Sequence, residues 1–198
     1  VWVDIGGGTG SNLEYFGDDL ARWDKVYVVD LSKSLLEVAA ERAQRNGWTN
    51  VETIHADATK FQLDRPADVV TFSYSLTMIP DWFAAIDAAQ RTLRDDGLLG
   101  VVDFFVSRKY AADKNTQHGW LTRTGWPTWF GNDNVYLSPD HLPYLQNQFA
   151  TTQLDECRAK VPYIPLARVP YYRFIGQKTK TANQNSRAEL APSESSAS

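Results

Sequence analysis

The stretch Asp4-Ile5-Gly6-Gly7-Gly8-Thr9-Gly10-Ser11 sets four glycines in five positions directly behind a short apolar run. Such a turn lets a ligand lie on bare backbone, because no Cβ keeps it away. Asp30 closes the next apolar run about 20 residues beyond Gly10, the spacing at which a carboxylate takes ribose hydroxyls in a strand-turn-helix crevice. Leu31 follows it, Asp57-Ala58 end a third run, and Ser73 lies near the end of a fourth. Gly6, Gly8, Gly10 and Asp30 are thus the residues expected to hold a nucleoside-containing cofactor. The dinucleotide fingerprint requires Gly or Ala at the sixth position from Gly6, and that position is Ser11, which disfavours a nicotinamide cofactor.

Positioning these residues takes strands that end together. The first two-thirds of the chain alternates apolar runs with helical patterns, the mark of parallel βαβ units. Strands are predicted over Val1 to Ile5, Lys25 to Asp30, Asn50 to Asp57, Ala67 to Ser75 and Leu98 to Phe105. Ser11-Asn12-Leu13-Glu14 and Ser34-Leu35-Leu36-Glu37 fit capping boxes at two helix starts, and Asn46-Gly47 stops the second helix. Pro80-Asp81 opens a helix with Phe83, Ile86, Ala89 and Leu93 on one face, ended by Asp96-Gly97. A stretch rich in tryptophan follows, then a helix start at Ser138-Pro139 and strands near Thr151 to Val161 and Tyr171 to Gln177. The expected fold is α/β and Rossmann-like: a mostly parallel seven-stranded sheet with helices on both faces and an aromatic-rich insertion after the fifth strand. Residues 1–178 form one domain, and Thr179 to Ser198 read as a disordered tail or linker for want of large apolar side chains.

The 198 residues carry a net charge of −4, which argues against general nucleic-acid binding. No apolar run approaches the roughly 20 residues that span a bilayer, so membrane association is expected to be peripheral. Cys157 is the only cysteine and reads as a strand residue. No metal site is expected. The only methionine is Met78 and Val1 already lies in a strand, so the chain reads as one piece of a longer polypeptide.

An acid followed by Gly6-x-Gly8-x-Gly10 resembles the first motif of class I S-adenosylmethionine methyltransferases. That resemblance implies S-adenosyl-L-methionine as cofactor, with Asp57 accepting from the adenine amino group and Asp4, Leu31, Ala58 and Ser73 completing the cofactor-binding set. "TFSYSLTMIP" (Thr71 to Pro80), "WLTRTGWPTWF" (Trp120 to Phe130) and "VPYIPLARVPYYRFIGQ" (Val161 to Gln177) resemble the N-methyltransferase of betaine lipid synthesis. This implies three successive methyl transfers to the amine of diacylglycerylhomoserine, giving diacylglyceryl-trimethylhomoserine. It also implies a peripheral location on the cytoplasmic side of a membrane. The partner is the aminocarboxypropyl transferase that makes the acceptor, fused to this domain or associated with it. Family members carry sequence before the first strand that helps cover the cofactor, and its absence here predicts weak donor binding.

Methyl transfer from a sulfonium is an in-line displacement, and the amine must lose a proton before each attack. Tyr74, His118 and Asp103 are the candidates for handling that proton, Tyr74 as a hydrogen-bond partner and His118 because an unperturbed imidazole titrates near neutrality; for His118 a surface-loop role is the competing reading. Alkylated ammonium products are attracted by aromatic faces, and Tyr74, Trp120, Trp126, Trp129 and Tyr171 are candidates for such a wall. Arg123 and Arg168 are candidate forks for the substrate carboxylate, surface salt bridges being the alternative. The tryptophans lie among Arg108, Lys109, Lys114 and Arg123, a pattern that suits either a membrane interface or a packed lid. Three other readings stay open: a methyltransferase acting on a soluble small molecule or another phospholipid headgroup, a nicotinamide-dependent oxidoreductase, and a noncatalytic scaffold.

Overall fold

The computed structural model describes residues 1–110, 116–130, 135–160 and 168–179. The expected tail, from residue 180 on, lies outside them, as do Lys114 and most of the proline-rich start of the last motif. The strands are β1 (Trp2–Ile5), β2 (Val26–Asp30), β3 (Val51–His55), β4 (Ala67–Ser73), β5 (Leu93–Phe104), β6 (Ala150–Lys160) and β7 (Arg168–Gln177). They form one seven-stranded sheet in the order β3-β2-β1-β4-β5-β7-β6. β1 to β5 pair in parallel, whereas β7 runs antiparallel to both β5 and β6. The order reverses between β1 and β4, which opens a crevice beyond their carboxyl ends.

The helices are α1 (Lys33–Arg45), α2 (Trp82–Thr92), α3 (Trp120–Phe130) and α4 (His141–Gln148). One core cluster joins Val3, Val70, Ile86, Leu99 and Leu145, and a second joins Leu13, Val28, Leu36 and Ala39. Each such fully buried large aliphatic side chain contributes about 1.5–3 kcal/mol relative to exposure. Cys157 lies in β6, as expected, and Asn46-Gly47 ends α1, with Gly47 at φ 68°.

Three local expectations are corrected. The Ser11 capping box does not form: Gly10 precedes the segment in the left-handed region without a side-chain cap, and Ser11–Arg22 is 3-10 in character and broken at Gly17. Glu14 is taken instead by Arg42 of α1, whose Nε also donates to the Thr9 carbonyl at 3.0 Å. The cap of α1 is Ser32, two residues before the predicted Ser34, and its hydroxyl accepts from Leu35 N–H. α2 ends at Thr92 rather than Asp96-Gly97, because Leu93 pairs with Ala67 and begins β5. The predicted face of α2 shifts with it: Ala85, Ile86, Ala88 and Ala89 are buried while Phe83 is exposed.

Candidate functional site

The glycine turn and Asp30 lie together where β1 and β2 end. Gly6, Gly8 and Gly10 take φ of 69°, 54° and 66°, where an L side chain is strained. Gly6 and Gly7 donate their N–H groups to the Val29 carbonyl at 2.7 and 3.2 Å, which folds the turn back across the end of β2. A Cβ on Gly6 would lie 2.4 Å from Ser75 Cβ, so that glycine is required by the close approach of the segment after β4. At Gly8 the nearest protein atom to such a Cβ is a Leu35 methyl at 3.9 Å. Gly8 therefore faces the open crevice, a cradle in which a ligand meets the backbone.

The acids around it are held for different reasons. Asp30 accepts from Gly8 N–H at 2.9 Å and from Ser32 N–H at 2.8 Å, so it fixes the glycine turn to the start of α1. Each of its oxygens keeps a lone pair for a ribose hydroxyl. Leu31 beside it is exposed, and its carbonyl accepts from the His55 ring at 2.9 Å. Asp57 Oδ1 accepts from both the N–H and the hydroxyl of Thr59, which holds its carboxyl below the usual range. Asp4 is fully buried and bound to the Thr71 hydroxyl at 2.7 Å, itself bound by Trp2 Nε1. Burial raises the Asp4 carboxyl to about 6, and its Oδ2 makes no hydrogen bond among the described residues. Ala58 packs at the edge of the main core and Ser73 ends β4.

The second half of the site begins one residue beyond Ser73. Tyr74 takes φ 53° and is 42% exposed, while Ser75 donates its hydroxyl to the Ile5 carbonyl at 2.9 Å, locking this corner against the glycine turn. The Tyr74 ring lies 4.9 Å from Phe104, Phe104 stacks on Phe130 at 5.6 Å, and Phe130 meets Trp126 at 5.8 Å. A continuous aromatic wall thus runs from the donor crevice to the inner face of α3. Tyr171 pairs across the sheet with Phe104 and shares its face. Burial, followed by Tyr171 and Asp103, raises the Tyr74 phenol above its ordinary value, so it is a hydrogen-bonding group rather than a base. Arg123 lies on the same helical face as Trp126 and Phe130, and its Nε is buried with no partner among the described residues.

Five of the predicted residues take other places. Asp103 faces the opposite side of β5, fully buried, and accepts from Thr77 N–H (3.1 Å), the Thr77 hydroxyl (2.8 Å) and Phe104 N–H (2.8 Å). Burial lifts its carboxyl to about 6. It anchors the loop after Tyr74, and the Thr77 carbonyl in turn accepts from Tyr136 N–H at 2.8 Å, tying down the segment after α3. His118 is buried, not in a surface loop. Its Nδ1 accepts from Ser107 N–H at 3.0 Å and its own N–H donates to Ser107 Oγ at 2.7 Å. The neutral ring then carries its proton on Nε2, and burial holds its pKa below the usual value, so it is not poised to accept the amine proton. Trp120 and Trp129 point away from the wall and are 67% and 58% exposed. Arg168 is exposed at the start of β7, three residues from Tyr171 and hence on the other face of the strand. Sequence reasoning missed Phe104, whose place in the wall follows only from the pairing of β5 with β7, and Arg42, whose partners lie 28 and 33 residues away.

Residues 3–97 match the methyltransferase domain family. The ubiquinone/menaquinone biosynthesis C-methyltransferase UbiE of Hahella chejuensis is 31% identical over 104 residues, 52% of this chain and 42% of that protein. The match therefore spans less than half the length of that curated relative. Among solved structures, the Bacillus YcgJ protein superposes with a TM-score of 0.69 at 18% identity over 90% of this chain and 92% of that one. The N-methyltransferase NodS of Bradyrhizobium japonicum, in complex with S-adenosyl-L-homocysteine, gives 0.66 at 12% identity over 90% and 78%. The sheet and its crevice have the Rossmann-like fold of the class I methyltransferases, and the family matched over residues 3–97 points to S-adenosylmethionine as the cofactor. The open backbone at Gly8 and the carboxylates of Asp30 and Asp57 fit that cofactor.

Proposed function

We propose that this domain methylates the amine of diacylglycerylhomoserine three times, giving diacylglyceryl-trimethylhomoserine. The observation that carries the reading is the wall Tyr74-Phe104-Phe130-Trp126, which starts at the donor crevice and has the unpaired Arg123 Nε on the same helical face. Aromatic faces hold an ammonium that gains methyl groups and loses hydrogen-bond donors, as the product of this reaction does. A guanidinium with a buried, unused N–H suits the homoserine carboxylate. The acceptor is reached at a membrane surface on its cytoplasmic side, with the aminocarboxypropyl transferase that makes it fused or associated.

When bound, S-adenosylmethionine supplies an electrophilic methyl on a sulfonium. The residues of the chain align the amine with it: Arg123 anchors the carboxylate, the wall orients the nitrogen, and in the first two transfers, while the attacking amine still has an N–H, the Tyr74 oxygen accepts a hydrogen bond from it. Before each transfer the amine gives a proton to water. The N–CH3 bond forms as the S–CH3 bond breaks.

A second reading, methylation of carbon in a small lipophilic acceptor, is favoured by the likeness to UbiE. A host that makes diacylglycerylhomoserine separates the two when its lipids are analysed with and without this domain in its full-length protein. Labelled methyl in the trimethylated lipid is the expected result. Label confined to a quinol carbon or a soluble amine would sink the first reading.

A further inference from the structure

The glycine turn lies along one stripe of α1. A Cβ on Gly8 would meet a Leu35 methyl at 3.9 Å, and one on Gly10 would meet the Ala39 Cβ at 3.4 Å. Arg42 follows Ala39 by one helical turn, so Leu35, Ala39 and Arg42 share a face of the helix. Arg42 is the charged member of that face, and its side chain is only 18% exposed. Its Nε donates to the Thr9 carbonyl at 3.0 Å, and its Nη1 pairs with Glu14 of the segment that leaves the turn. A guanidinium presents these donors in one rigid plane, so the pairing with Glu14 helps to aim Nε at Thr9.

The carbonyl that Arg42 holds belongs to the Thr9–Gly10 peptide. The N–H of the same peptide donates to the Gly7 carbonyl at 2.9 Å, inside the turn. One edge of this peptide plane is therefore held by the turn itself and the other by α1. The second hold matters because Gly10 accepts either sign of φ, and a peptide that precedes glycine turns over at little steric cost. Turned over, it would lose the bond to Gly7 and take Gly10 away from its φ of 66°. Gly8, whose backbone faces the crevice, lies just before this peptide, and its own N–H is fixed by Asp30 at 2.9 Å.

We propose that Arg42 is a positioning residue for the donor: by holding the Thr9 carbonyl it fixes the glycine turn in the conformation that presents the Gly8 backbone to S-adenosylmethionine. It acts through the turn and not on the ligand. A turn that is already ordered leaves less conformational freedom to lose when the donor binds, and that difference appears as affinity. Glu14 is half in solvent, so the ion pair adds little to the stability of the fold, and the role of Arg42 is read in donor binding instead. The inference concerns the donor half alone and stands whichever acceptor is methylated.

The test is calorimetric titration of the whole chain with S-adenosylhomocysteine, which fills the donor crevice without an acceptor. Arg42→Met keeps the aliphatic stem but removes both donors, and it should weaken binding about tenfold. Arg42→Lys keeps a single donor for the Thr9 carbonyl and should fall between Arg42→Met and the parent; it carries the test if the methionine variant does not fold by circular dichroism. Glu14→Gln, whose amide oxygen still accepts from Nη1, should stay within about threefold of the parent. Arg94→Met removes another surface ion pair, with Asp68 at the far end of β4 from the crevice, and should leave binding within about twofold. Amide exchange reads the turn directly: the Gly10 N–H should exchange about tenfold faster in Arg42→Met and at the parent's rate in Arg94→Met. An unchanged donor Kd in Arg42→Met, or Arg42→Lys binding as weakly as Arg42→Met, would overturn the inference. So would an equal loss in Arg94→Met, which would make the effect one of general stability, or in Glu14→Gln, which would assign it to the ion pair. Weaker binding with Gly10 exchange unmoved would also overturn it, because Arg42 would then act on the donor itself.

Discussion

The donor crevice and the aromatic wall meet at Tyr74 and Ser75, yet they are built from different materials. The crevice is mostly backbone: glycines at positive φ, carbonyls at strand ends, and carboxylates that bind nearby amide groups. The wall is side chain, with Tyr74, Phe104, Trp126 and Phe130 drawn from three separated segments. The family match ends at residue 97, before β5 reaches Phe104. Backbone geometry survives wide sequence divergence, so the donor half is shared with distant relatives. On the reading proposed above the wall holds the acceptor, and it is free to vary with it.

If that division is right, the two halves should fail separately. The severest case is Gly6→Ala, whose Cβ would sit 2.4 Å from Ser75 Cβ at φ 69°. It should cost about 4 kcal/mol of stability through steric displacement and backbone strain. Gly8→Ala, at similar φ but with open space around it, should cost only about 1 kcal/mol while abolishing donor binding. Thermal melts beside donor titrations would show the contrast, and equal losses of stability would erase it.

Acid provides the next division. His141 of α4 is fully buried, with both ring nitrogens unpaired among the described residues and its ring edge-on to Trp82 at 4.7 Å. Burial pushes its pKa down to about 4. The stability it supports is complete above the unfolded value of roughly 6.5 and is lost as pH falls toward 4. His141→Phe should therefore recover about 3 kcal/mol at pH 4 relative to the parent, in denaturant titrations at several pH values. Asp4 and Asp103, raised to about 6, act in the opposite sense, lowering stability as pH rises from about 4 to 6. They are common to both proteins, so they cancel in the difference. A constant difference from pH 4 to 7 would remove His141 as the cause.

Smaller effects should divide by ligand. Asp30→Ala, which frees Gly8 N–H and Ser32 N–H, should weaken donor binding by about 2 kcal/mol, or about thirtyfold, and raise the acceptor KM little. Trp126→Leu should do the reverse, raising the acceptor KM about fivefold through loss of roughly 1 kcal/mol of ring attraction, with the donor Kd unchanged. Calorimetry for the donor and initial rates for the acceptor would detect crossed effects, which would mean that the halves are not independent.

Much of the crevice is legible in the order of residues, because its devices are local. Asp30 and its glycines are tied through neighbouring strands of one βαβ unit, and the acid at the end of β2 follows from the period of that unit. Capping is less legible: Ser11-Asn12-Leu13-Glu14 has the right residues for a cap, but Arg42 competes for Glu14 from the next helix, whose docking beside it the local pattern does not show. The candidate bases are misplaced by sequence reasoning for a similar reason. Residue type singles out Asp103 and His118, whereas burial and donors from Thr77, Phe104 and Ser107 commit them to holding loops.

The sequence by itself determined a parallel α/β sheet, the glycine turn and its acids, since each depends on short-range spacing and backbone conformation. Tertiary packing alone decided which tryptophans line the site. Trp120, Trp126 and Trp129 are alike in the chain, and it is the docking of one face of α3 against Phe104, Val106 and Val169 that turns Trp126 inward and leaves the other two in solvent.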